Sequence, residues 1–279
     1  MLRRWPAVVI GIPAALIVFV TCVIIFIPAA ELKGIAERAA AGAGYTFRVA
    51  EFGKALPLGI KARGVEIGDE RGPLFRADEA VVRLRLLPLL LGKLSVGFRA
   101  EVGKGSVTGD YSTSSGGEAS IEIDHLRLED IPFFPTATGA TMKGELRGEG
   151  RFKGKGNTTR GDGRLEVRGM ELAGVKIGEM PLPDASYDTV RGAMKITGGK
   201  VVLESFTLQG AGLYVRIKGD FPVITPLGAA PLNLTLELMP KPDFMEKQKF
   251  VFLLLTKYLT SPGAYQIPVK GTLAKPSIQ

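Results

Sequence analysis

From Val8 to Ile27 the chain runs for 20 residues without a charge, and from Tyr45 onward its apolar residues recur with a period of two. At about 1.5 Å of rise per residue such a run makes a helix roughly 30 Å long, the hydrocarbon thickness of a bilayer. A cleaved secretory signal is the competing reading, since Pro28-Ala29-Ala30 offers small residues. The run exceeds the usual signal core of roughly 7–15 residues, however. The sequence therefore predicts an uncleaved single-pass anchor over 1–30. Arg3 and Arg4 precede the span, which places the N-terminus in the cytoplasm and the bulk of the chain on the far side, the periplasm in a Gram-negative cell.

Ala30 to Gly42 reads as a short Ala-rich helix closed by Gly42 and Gly44, giving a juxtamembrane segment at 31–44. The remainder, 45–279, reads as one β domain. Leu232, Leu234, Leu236 and Leu238 alternate with Asn233, Thr235 and Glu237, and Leu213, Val215 and Ile217 alternate with Tyr214, Arg216 and Lys218. Val82 and Leu84 against Arg83 and Arg85, and Leu146 against Glu145 and Arg147, repeat the pattern. One face of each strand is thus apolar and the other meets water. About a dozen such strands, with glycines such as Gly144, Gly148 and Gly150 inside them, predict a long antiparallel sheet that curls into a groove or open barrel. The expected apolar lining is Val82, Leu84, Leu146, Val215, Ile217, Leu234 and Leu236.

Two local irregularities stand out. The apolar set switches parity at Asp124-His125, between Ile123 and Leu126, which predicts a β-bulge. The stretches 60–68 (IKARGVEIG) and 165–174 (LEVRGMELAG) share an apolar strand, an Arg-Gly bend and a second strand, a short internal repeat.

A late helix is predicted from Asp243 to about Leu259, between Pro242 and Pro262-Gly263. Its second half is apolar almost all round, so a sheet covers only part of it. Phe250, Phe252 and Leu255 are its candidate gate or partner residues, with at least one of Phe252 and Leu255 expected to turn away from the sheet. A plug at the end of the sheet is the alternative.

No catalytic, cofactor-binding or metal residues are assigned. Cys22 is the only cysteine and His125 the only histidine, so neither a thiol nucleophile nor a multi-histidine metal site is available in the exported part. No G-x-S-x-G, P-loop or dinucleotide motif occurs, and no enzymatic activity is expected. The 36 Lys+Arg against 28 Asp+Glu give a net charge of +8, but the basic residues are interleaved with Glu along the strands. That reads as a solvated sheet face; anionic lipid headgroups are the other reading, and no nucleic-acid partner is expected.

Three segments carry a resemblance: 45–69 (YTFRVAEFGKALPLGIKARGVEIGD), 77–111 (ADEAVVRLRLLPLLLGKLSVGFRAEVGKGSVTGDY) and 267–278 (IPVKGTLAKPSI). Together they resemble the AsmA-like group of bacterial proteins, and within it the family of type II secretion system protein N. The resemblance implies an inner-membrane protein with one N-terminal span and a periplasmic β-groove. For the wider group it implies handling of phospholipid acyl chains; for the protein N family it implies an accessory, non-enzymatic place among other type II secretion subunits.

Overall fold

Alternating residues joined by glycine turns favour strands that pair with their sequence neighbours, and the chain does this almost without exception. The computed structural model describes residues 28–278 apart from 57, 155–157, 178–179, 225–226 and 274. The predicted anchor Val8–Ile27 lies outside the described residues; among those described, no helix is long and apolar enough to cross a membrane.

Helix α1 (Ala29–Gly42) leads through Gly44, at φ +82°, into the sheet. The strands are β1 (Thr46–Arg48), β2 (Glu51–Ala55), β3 (Gly59–Asp69), β4 (Gly72–Leu84), β5 (Ser95–Val102), β6 (Gly105–Ser112), β7 (Glu118–Arg127), β8 (Thr141–Lys153) and β9 (Arg160–Ala173). A small hairpin, β10 (Lys176–Ile177) and β11 (Met180–Pro181), interrupts the run. It continues through β12 (Ala185–Thr197), β13 (Lys200–Gln209), β14 (Leu213–Pro222), β15 (Asn233–Pro240), β16 (Leu259–Ser261), β17 (Ala264–Thr272) and β18 (Lys275–Ile278).

Apart from the β10–β11 hairpin, these strands form one 16-stranded antiparallel sheet whose two edges do not meet. It is a meander: from β3 to β15 each strand of the sheet pairs with the next in sequence. The two-residue turn Gly198-Gly199 shows why such hairpins close, since φ values of +60° and +73° are open to glycine and match the twist of the flanking strands.

Both predicted irregularities are present. The β7–β8 register shifts between Ile123 and Leu126, and His125 sits at φ 50°, so one extra residue re-aims Leu126 onto the apolar face. In the repeat, Gly64 and Gly169 take φ +59° and +58° in the middle of β3 and β9, so each Arg-Gly bend is a kink within one continuous strand.

The sheet curls toward its apolar face. Leu146 of β8 and Val269 of β17 are six strand spacings apart, about 29 Å if the sheet were flat. Both line a single cavity of ≈ 450 Å³. Connections at one end of the strands close on this core: Phe134 of α3 (Phe133–Thr138) and Ile177 of the β10–β11 hairpin, which reaches across to touch β18, line the cavity, while the segment between β15 and β16 packs into the same hydrophobic core without lining it.

That last segment corrects the predicted helix. In place of one helix over 243–259 there are α4 (Pro242–Lys247), α5 (Lys249–Leu254) and a 3₁₀ turn at Thr256–Tyr258, while Leu259 already belongs to β16. Gln248 breaks it at φ −112°, ψ 27°. Phe244 and Phe252 pack edge to face with ring centroids 6.1 Å apart. In a straight helix they would be separated by about 12 Å along the axis. Folding back at Gln248 brings both rings onto the core.

Candidate functional site

The antiparallel register lines up side chains of the same face from strand to strand, and two such lanes cross nearly the whole sheet. The first runs Phe52, Ala62, Ala80, Ala100, Val107, Ile123, Gly148, Leu165, Gly192, Phe206, Ile217, Leu236, Ile267. Beside it runs Ile60, Val82, Phe98, Gly109, Ile121, Gly150, Gly163, Met194, Leu203, Gly219, Leu234, Val269, Ile278. Every member is apolar or glycine. Twelve spacings of about 4.8 Å make each lane about 58 Å long in contour.

Two regions differ in cover. From β8 to β18 the lanes lie under the capping segments, and the cavity is walled by Leu165, Phe206, Ile217 and Leu236 from the sheet and by Ile177 and Leu182 from the hairpin region. Tyr187 is buried in this lining, and burial pushes its phenol pKa up. From β3 to β6 the first lane is packed, with Ala62 and Ala100 buried in a second core cluster with Val65, Ala77, Val102 and Leu126, but from β4 to β6 the second lane and the row beyond it are open: Phe98 and Tyr111 are 39% and 40% exposed. The structure is therefore a trough, open in its first part and roofed in its second.

Of the predicted lining, Leu146, Val215, Ile217, Leu234 and Leu236 all line the cavity. Val82 and Leu84 share the face but lie in the open part, Val82 in the second lane and Leu84 opposite Val96. Sequence reasoning missed Phe98, Ile121, Leu165 and Phe206, which alternate correctly in their own strands but are placed in the lanes only by register. The hairpin residues Ile177 and Leu182 carried no period-two signal at all.

The gate residues separate cleanly. Phe252 and Leu255 are 4% and 0% exposed, both packed into the core, so the expectation that one of them faces outward is overturned. The outward residues are Phe250 and Leu253, at 71% and 68%. The break at Gln248 and the 3₁₀ turn set a rotation that a straight helical count does not give.

The opposite face is a lattice of cross-strand ion pairs: Lys61 with Glu79 at 2.6 Å, Arg76 with Glu66 at 2.9 Å, Lys143 with Glu171 at 2.9 Å and Lys218 with Glu237 at 3.0 Å. Lys61 holds the Glu79 carboxyl below its ordinary range, and Arg168 does the same for Glu166. His125 belongs to this face, with Nδ1 2.8 Å from Glu145 Oε1 and Arg147 beside its ring. Among the described residues no group of three or more His, Cys, Asp or Glu is arranged to hold a metal ion.

No protein-family model matches the chain, and neither the curated proteins nor the solved structures give a match.

Proposed function

We propose that this chain is an inner-membrane-anchored, non-enzymatic carrier whose periplasmic trough holds phospholipid acyl chains. The observation that carries the reading is the pair of unbroken apolar lanes. At about 58 Å of contour they exceed the roughly 30 Å of a whole bilayer core, so they offer room for acyl chains end to end. The cavity of ≈ 450 Å³ falls within the range typical of small-molecule sites, about 300–1,000 Å³, and its walls are almost wholly apolar. An apolar trough left to water carries a standing free-energy cost, and acyl chains relieve it.

The test is to purify the full chain in a mild detergent and identify bound lipid by native mass spectrometry. Co-purified phospholipid that is lost in an Ile217→Arg variant supports the reading. A trough empty of lipid after reconstitution into phospholipid vesicles overturns it.

A second reading, an accessory component of type II secretion, rests on the resemblance of 45–69, 77–111 and 267–278, segments that form the two margins of the sheet. The two readings are compatible. Loss of secretion on deleting the chain, with lipid exchange intact, favours the second. A reporter fused after Gln279 and active only in the periplasm is required by both.

A further inference from the structure

One rim of the trough is apolar and bare. The β2–β3 turn and the β4–β5 connection meet there, joined by a hydrogen bond from the Leu84 amide to the Leu58 carbonyl at 2.8 Å. The β4–β5 connection contains the short helix α2 (Leu86–Leu90). Leu56, Leu87 and Leu91 are 71%, 77% and 75% exposed, and Leu94 stands beside them, also exposed. Scattered exposed leucines are ordinary, but several on adjoining turns mark a surface that is covered in use.

Three observations name the cover. The stretch from Arg83 to Leu94 (RLRLLPLLLGKL) carries Arg83, Arg85 and Lys93 and no acidic residue; Arg85 is ion-paired with Asp110 of β6, which leaves Arg83 and Lys93 as the positive charges flanking the apolar tip. Arg83 and Lys93 are exposed. The rim also continues into the open lane, since Leu84 and Val96 are cross-strand partners and Tyr111 lies next in the row. Finally, α1 packs against β1 and β2, the edge that the rim adjoins.

We propose that Leu56, Leu87, Leu91 and Leu94 form a membrane-seating rim that inserts into the interface of an anionic bilayer, with Arg83 and Lys93 against its headgroups. Long apolar side chains on a basic loop bind anionic interfaces through both terms at once. The seated rim sets the open end of the trough against the leaflet. This rests on the anchored reading only in placing a bilayer within reach, and does not require the trough to hold lipid.

The test uses the full chain in a Cys22→Ser background, with a single cysteine introduced by Leu91→Cys, Leu56→Cys or, as the control at the opposite end of the strands, Lys104→Cys. Each is labelled with an environment-sensitive fluorophore and reconstituted into vesicles of equal parts phosphatidylethanolamine and phosphatidylglycerol containing brominated lipid. The expected result is quenching with a blue shift at positions 91 and 56, none at 104, and loss of quenching at 91 when Arg83→Glu and Lys93→Glu are added. Equal signals at 91 and 104 overturn the seating, and quenching indifferent to the charge reversal overturns the anionic requirement. Cross-linking between copies through Leu91→Cys, without quenching, assigns the rim to self-association and likewise overturns the proposal. Bound lipid measured on the same preparations separates the two readings: quenching at 91 with an empty trough leaves the rim standing and removes the carrier.

Discussion

Phe206 lies across the β12–β13 pair from Gly192, and a Cβ at Gly192 would sit 2.7 Å from two carbons of the Phe206 ring. The ring occupies the space that a side chain at 192 would need, and in doing so fills a gap in the lane. Phe98 does the same over Gly109 in the second lane, where a Cβ would come within 2.4 Å of its ring. Glycine in these strands is therefore a packing choice as much as a source of curvature.

Gly192→Val is expected to destabilise the fold by about 1–3 kcal/mol through overpacking, because Leu165 closes the other side of the site at 3.0 Å. Adding Phe206→Leu should recover part of that loss, since the two residues share one volume. Thermal unfolding of the single and double variants checks it, and strictly additive effects would mean that the ring yields without cost.

A charge in the lanes should separate the two faces of the sheet. Leu234→Arg and Ile217→Arg place a cation in the cavity wall and should abolish uptake of a fluorescent fatty acid. Outward Lys195→Gln should leave both uptake and stability unchanged, within about ±0.5 kcal/mol. Glu237 is a poor control, because it accepts a hydrogen bond from Lys218 at 3.0 Å and is largely covered.

Acid should loosen the outer face. Glu79, Glu166 and Asp69 are held below their ordinary pKa values by Lys61, Arg168 and Arg71 respectively. A carboxyl with a folded pKa below its unfolded one contributes stability above the ordinary carboxylate range and loses it as pH falls through that range to the lowered value. The melting temperature should therefore hold from neutral pH down to the upper carboxylate range and drop below it. Lys61→Met should shallow that drop, and salt should weaken the lattice at neutral pH, because these pairs are solvent-screened. A melting profile flat through the acid range would deny the lattice any part in stability.

Strand identity and the inward face were legible from alternation alone, because a period of two survives wherever one face is buried. Leu234, Leu236, Val215 and Ile217 were placed correctly for that reason, and the His125 bulge was visible as a break in parity. What single strands do not carry is register. Nothing local says that Val107, Ile123, Leu165, Phe206 and Ile217 form one line, because that alignment is set by turns and bulges along the whole meander. The β10–β11 hairpin was missed because two-residue strands leave no pattern, and the chain from Asp243 to Leu259 was misread because its break at Gln248 serves the Phe244–Phe252 contact and has no helix-breaking residue to announce it.

The corrected orientation of that chain makes the gate question sharp. Leu255 is wholly buried and Phe252 nearly so, so Leu255→Asp and Phe252→Asp should unfold the domain, and even Leu255→Ala should cost about 2–5 kcal/mol. Phe250 and Leu253 touch mainly solvent, so Phe250→Ser and Leu253→Ser should leave the melting temperature where it is. If the proposed carrier reading holds, they are expected to slow the transfer of a fluorescent phospholipid between donor and acceptor vesicles, since α5 has one face in the hydrophobic core and presents the other to solvent, with Lys247, Lys249 and Lys257 close by in sequence. Stability and transfer measured side by side decide the matter: transfer unchanged in Phe250→Ser and Leu253→Ser makes the segment a fixed wall of the trough, and a melting temperature that falls with transfer would show that the bare face is packed after all.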